Sequence, residues 1–238
     1  MIRGAERVAR RLDGFEHRKY ADMIAAAKFW DKHAEKYSQR PIKNVDAYER
    51  TLERTRAYLS KTDRVLEIGC GTGGTAVNLA GDAGQITGSD ISPAMVGIAR
   101  GRAEDQGKEN VTFTCGDACD LDFDVGSFNA VMAFNLLHLL PDTEGAVARA
   151  HALLRPGGYF ISKTVCLRDM SPLWRPLIFI MQAVGFAPFL RRFSKSELDG
   201  MIEAAGFEIV EGRSFPGAPE SWFVVARKPI SPQTPLPQ

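Results

Sequence analysis

Three glycines, Gly69, Gly71 and Gly73, with acids at Glu67, Asp90 and Asp117, are the residues of this chain whose types and spacing could do chemistry. The apolar run Val65-Leu66-Glu67-Ile68 stops abruptly at the glycine cluster, the pattern of a buried strand turning into a helix. Glycine accepts positive φ without a Cβ clash and leaves bare backbone for a ligand to lie against. Asp90 follows Gly69 by 21 residues and closes the next apolar segment. An acid at that offset can hold the two hydroxyls of a ribose, so the chemistry implied first is the binding of a nucleoside cofactor. A general base has one candidate, His138, the only histidine on a motif at a crevice-facing strand end, Phe134-Asn135-Leu136-Leu137-His138.

These residues need elements to hold them. Tyr20 to Tyr37 and Val45 to Leu59 carry apolar residues at helical spacing, separated by Pro41, with Asn44 as the cap of the second helix. Strands and helices then alternate. Strands are expected at Arg64–Ile68, Gln85–Ser89, Val111–Cys115, Phe128–Phe134 and Gly158–Thr164. Helices are expected at about Gly73–Ala80, after Ser92-Pro93, and at about Asp142–Leu154, with a serine cap and a first-turn proline opening the second of these. Ser194-Lys195-Ser196-Glu197 reads as a capping box for a helix through Ala205, stopped by Gly206. Phe207–Glu211 and Trp222–Ala226 form a closing pair. In an open parallel sheet the ligand lies beyond the carboxyl ends of the strands, where the strand order reverses.

The glycine spacing also fits the dinucleotide pattern GxGxxG, which alone is weak. About sixty residues precede the first strand, Glu67 sits two before the first glycine, Asp117 follows the third strand, and Leu154-Arg155-Pro156-Gly157-Gly158 precedes the fifth. In that order the motifs resemble the class I S-adenosylmethionine-dependent methyltransferases, in a branch similar to ubiquinone and menaquinone C-methyltransferases, over roughly residues 29–228. The resemblance implies an α/β, Rossmann-like, doubly wound seven-stranded sheet of order 3-2-1-4-5-7-6, with N-terminal helices and a helical insertion after strand five. It implies S-adenosyl-L-methionine as cofactor. Gly69, Gly71, Gly73 and Thr72 would underlie its methionyl part and ribose. Asp90 would hold the ribose, and Ile91 would lie on the adenine. Asp117 would accept from the adenine amine, with the Ala118 amide reading the neighbouring ring nitrogen. The Phe134 carbonyl or Asn135 would hold the methionyl ammonium. Glu67 could face that ammonium or the N-termini of nearby helices. Trp30 and Tyr37 resemble residues that close over the cofactor in quinone-type enzymes; ordinary packing of an amphipathic helix is the rival reading.

The remaining features bound the partners. A net charge of +1 builds in no pull towards nucleic acid. Cys115-x3-Cys119 has no second pair at ligand spacing, so no metal is expected, and scattered cysteines suit a reducing cytoplasm. The arginines of residues 1–11 precede no apolar region, unlike a secretory signal, and residues 1–19 read as a basic arm. A methyltransferase domain is expected over 20–228 and a proline-rich disordered tail over 229–238. The insertion 166–193 crowds apolar residues around Trp174 and Phe179, flanked by Arg175, Arg191 and Arg192 and broken by Pro172, Pro176 and Pro188. It reads as a lid over an apolar acceptor, as core or dimer contact, or as a membrane-interface contact. All three favour a small apolar or lipid-like acceptor. A nicotinamide dehydrogenase, or a cofactor-binding protein without transferase activity, is the alternative.

Overall fold

The computed structural model describes residues 14–169 and 189–230. Most of the expected arm, the centre of the insertion with Trp174 and Phe179, and nearly all of the expected tail lie outside the described residues.

Helix α1 (Gly14–Ser38) begins earlier than the expected Tyr20, and α2 (Val45–Arg56) follows, capped by the Asn44 side chain on Ala47 N–H. The alternating part then runs β1 (Arg64–Ile68), α3 (Gly74–Asn78), β2 (Gln85–Asp90), α4 (Pro93–Asp105), β3 (Val111–Cys115), β4 (Phe128–Phe134), α5 (Thr143–Leu153) and β5 (Leu154–Val165). After the insertion come α6 (Lys195–Ala204), β6 (Glu208–Phe215) and β7 (Ala218–Arg227). The seven strands order as β3-β2-β1-β4-β5-β7-β6, as expected. β7 is antiparallel to both of its neighbours, whereas β1 to β5 pair in parallel.

The central strands are buried on both faces because helices cover both, which is why they read as continuous apolar runs. Side chains still alternate. Val65, Ala130, Met132 and Ile161 pack in one layer, and Leu66, Ile68, Val131, Ala133 and Phe160 in the other. Each such side chain, fully withdrawn from water, stabilises the fold by about 1.5–3 kcal/mol.

Local signals set the ends. Ser92 caps α4 by accepting from Met95 N–H, with Pro93 in the first turn, and Ser194 and Glu197 form the expected capping box of α6. In the sheet, strand boundaries moved at two places. β5 begins at Leu154 rather than Gly158, because Leu154 pairs with Phe128 before a register shift carries the strand past Pro156-Gly157. The closing strands are longer than expected, because Phe215 pairs directly with Ala218 around Pro216-Gly217, and Gly217 takes φ 77°.

Candidate functional site

β1 pairs with β2 on one side and β4 on the other, so the strand order reverses between β1 and β4. A cavity of about 410 Å³ opens there, beyond the strands' carboxyl ends. Of the residues expected at the cofactor, Trp30, Tyr37, Gly69, Gly71, Asp90, Ile91, Asp117, Ala118, Phe134 and Asn135 all line it.

The glycine loop does two separate jobs. Gly71 takes φ 54°, and a Cβ placed there would meet nothing nearer than the Tyr37 ring at 3.9 Å; its open side faces the cavity. Gly73, at φ 74°, is different: a Cβ would lie 2.7 Å from Phe113 and 2.8 Å from Ala99. Gly73 therefore lets α3 close against α4 and β3, and it does not line the cavity. Thr72 is also absent from the wall; its hydroxyl is buried and accepts from Arg102 at 3.3 Å. Gly73 and Thr72, expected as cofactor contacts, thus lie off the cavity wall and serve packing and helix anchoring.

Asp90 Oδ2 accepts from Gly71 N–H and Oδ1 from Ser92 N–H, each at 2.9 Å. These bonds fix the carboxylate at the cavity wall, and lone pairs remain on both oxygens. Burial raises its carboxyl above the ordinary value, opposed by the backbone hydrogen bonds. The helix cap beside it is Ser92, so Asp90 is not needed as a cap. Asp117 accepts from Cys119 N–H at 2.8 Å, a turn that leaves it facing the cavity. Asn135 takes φ 53°, the only positive φ outside glycine among the described residues, and its N–H donates to Lys163 at 2.7 Å. A left-handed conformation costs a non-glycine residue roughly 1–2 kcal/mol, and asparagine tolerates it best.

Glu67 is buried and does not line the cavity. It lies under the start of α3, where the Ala76 backbone bonds to it, while Oε2 has no partner among the described groups. Burial pushes its carboxyl up to about 8. Of its two expected environments, the structure supplies the helix start.

His138, expected as the general base, is not among the residues of the cavity wall. The short 3-10 turn Leu137–Leu139 buries its ring away from the cavity, with Nδ1 at 2.7 Å from the Thr164 hydroxyl. Burial lowers its pKa to about 4, so the imidazole is neutral at physiological pH and a weak base. His138→Ala is expected to leave turnover within about threefold of wild type and to lower the melting temperature by several degrees. A thousandfold loss of turnover at unchanged stability would restore it as the base.

The sequence reading missed the remainder of the wall. Met23, Trp30 and Tyr37 recur every seven residues along α1, which puts them on one face, and Trp30 meets Tyr37 edge to face at 6.0 Å. That spacing was visible in the sequence. Leu136, Leu139, Leu140 and Pro141 add apolar surface to the wall, with Asp22 and Asp142 at the same cavity. Among the described lining residues there is no lysine, arginine or histidine. No disulfide joins the four cysteines, and no cluster of three or more metal-binding side chains occurs among the described residues. No helix among them is long and apolar enough to cross a membrane.

The strand order, with an antiparallel β7 between β5 and β6, differs from the all-parallel dinucleotide fold, and with the glycine loop and its two acids it is similar to the architecture of S-adenosylmethionine-dependent methyltransferases. Known proteins agree. Residues 65–158 match the methyltransferase domain family. The chain is 34% identical over 114 residues to norajmaline N-methyltransferase of Rauvolfia serpentina, covering 47% of this chain and 39% of that protein. It is 27% identical over 203 residues to the ubiquinone biosynthesis O-methyltransferase of Burkholderia vietnamiensis, covering 84% and 85%. An S-adenosylmethionine-dependent methyltransferase from Thermotoga maritima superposes with a TM-score of 0.66 at 25% identity, covering 85% of this chain and 99% of that one. The chain thus spans about two fifths of the length of the plant enzyme it matches.

The cofactor of this class, S-adenosyl-L-methionine, fits the residues present. The open side of Gly71 leaves room for the methionyl–ribose part, and the Asp90 carboxylate stands at the wall beside it.

Proposed function

We propose that this protein transfers a methyl group from S-adenosylmethionine to a small acceptor whose receiving part is apolar. The observation that carries this reading is the make-up of one cavity wall, which joins Asp90 and Asp117 to the apolar side chains of Met23, Leu136, Leu139, Leu140 and Pro141. When bound, the cofactor supplies an electrophilic methyl on a sulfonium. Asp90 would accept from the ribose hydroxyls, Ile91 would lie on the adenine face, and Asp117 and the Ala118 amide would read the adenine edge. The Phe134 carbonyl and Asn135 hold the methionyl ammonium. The aromatic faces of Trp30 and Tyr37 favour positive charge and exclude water above the glycine loop. The apolar side chains of the wall would align the acceptor, and alignment alone can supply several kcal/mol of the barrier reduction.

Acids in a wall whose described residues include no lysine, arginine or histidine make the cavity less favourable to anionic acceptors than to uncharged or cationic ones. The same balance argues against a nucleic-acid acceptor. The three readings of 166–193, as lid, core or dimer contact, or membrane contact, and a cytoplasmic location remain part of this proposal. The test is a panel of apolar amines, phenols and quinols, with carboxylates, sugars and nucleotides as controls, read by formation of S-adenosylhomocysteine. Turnover confined to uncharged or cationic apolar acceptors supports the reading, and turnover of anionic acceptors alone contradicts it. Cofactor binding with no turnover across the panel would favour a binding protein without transferase activity, a reading open to this fold because fold does not fix function.

A further inference from the structure

We propose that Asp31 is a positioning residue that couples α1 to the ribose end of the cavity. The proposal rests on the reading of Asp90 as the ribose acid. Asp31 contacts no expected ligand and does not line the cavity. Its Oδ1 accepts from the Ser92 hydroxyl at 2.5 Å and from Ala94 N–H at 3.1 Å, across 61 residues of sequence. Ser92 is fully buried, and its own N–H donates to Asp90 Oδ1, while Asp90 Oδ2 takes Gly71 N–H. An unbroken hydrogen-bond path therefore runs from α1 through the first turn of α4 and the end of β2 to the glycine loop.

Helix capping does not account for this contact. The Ser92 hydroxyl already accepts from Met95 N–H and closes the helix start without Asp31. Asp31 adds an acceptor for a second free amide, a favourable place for an anion, and a tie between two helices. That tie matters because α1 belongs to no strand layer. It packs on α4, and it brings Met23, Trp30 and Tyr37 to the wall. The pair is also felt electrostatically: Asp90 is raised mainly by burial and in part by the Asp31 charge. A ligand that holds Asp90 in place therefore favours the docked α1, and a docked α1 favours the ligand, as linkage requires.

The experiment compares wild type, Asp31→Ala and Asp31→Asn as full chains, by calorimetry with S-adenosylhomocysteine and by hydrogen exchange with and without it at saturation. Asp31→Ala should bind about tenfold more weakly. Bound at saturation, it should protect the glycine loop as wild type does but no longer protect residues 22–37. Asp31→Asn keeps an acceptor oxygen of the same shape and should restore both properties. An Asp31→Ala protein whose bound form protects 22–37 as strongly as wild type overturns the proposal, as does unchanged affinity. A merely structural loss would lower the melting temperature without uncoupling the two regions. If wild type binds no S-adenosylhomocysteine, the functional reading fails. Exchange in ligand-free α1, faster in Asp31→Ala than in the other two proteins, then decides the tie alone, and equal exchange overturns it.

Discussion

Asp90→Ala is expected to weaken binding of S-adenosylhomocysteine on the order of a hundredfold with the fold intact. The Asp90 carboxylate stands at the cavity wall, oriented by Gly71 and Ser92 N–H groups. Each hydrogen bond from a ribose hydroxyl to a charged acceptor contributes about 1.5–3 kcal/mol, and every ~1.4 kcal/mol is tenfold in affinity. Water reaching the freed Gly71 N–H from the cavity, together with relief of a buried charge, offsets part of the stability cost. Calorimetry beside thermal melts checks both halves. Unchanged affinity would reduce Asp90 to an organiser of the loop.

The second large effect belongs to Glu67. Its carboxyl is raised from the ordinary 4.5 to about 8, by burial above all. The folded protein therefore keeps a proton that the unfolded chain releases, and stability falls as pH rises from about 4.5 through about 8. Glu67→Gln removes this titration. The variant should gain on wild type across that window, by a few kcal/mol in total, an order of magnitude set by the size of the shift. The measurement is the difference between the two denaturation free energies at pH 5 and pH 9. Parallel profiles would show that Glu67 titrates normally.

Much of this site was legible because its signals are local. The turn after β1 needs glycine, Ser92-Pro93 opens a helix in any context, and the offset from Gly69 to Asp90 is fixed by one strand–helix–strand unit. What the sequence hid depends on contacts between distant segments. Nothing near His138 shows that its turn rotates the ring to Thr164 on β5. Gly73 and Thr72 look like their loop neighbours, and only packing against Phe113 and Arg102 separates them. Asp31 looks like one more charge on an amphipathic helix until α4 is placed beside it. The strand extensions at Leu154 and Phe215 were hidden differently, because Pro-Gly pairs read as loops while the sheet continues through one and turns tightly at the other.

The central claim is that the cavity between β1 and β4 is built for S-adenosylmethionine. Titration calorimetry of the wild-type chain with S-adenosylhomocysteine, and separately with NAD, tests it most directly. The account predicts one site per chain of micromolar affinity for the first, about −8 kcal/mol, and no measurable binding of the second. Binding of NAD with no binding of S-adenosylhomocysteine would contradict it.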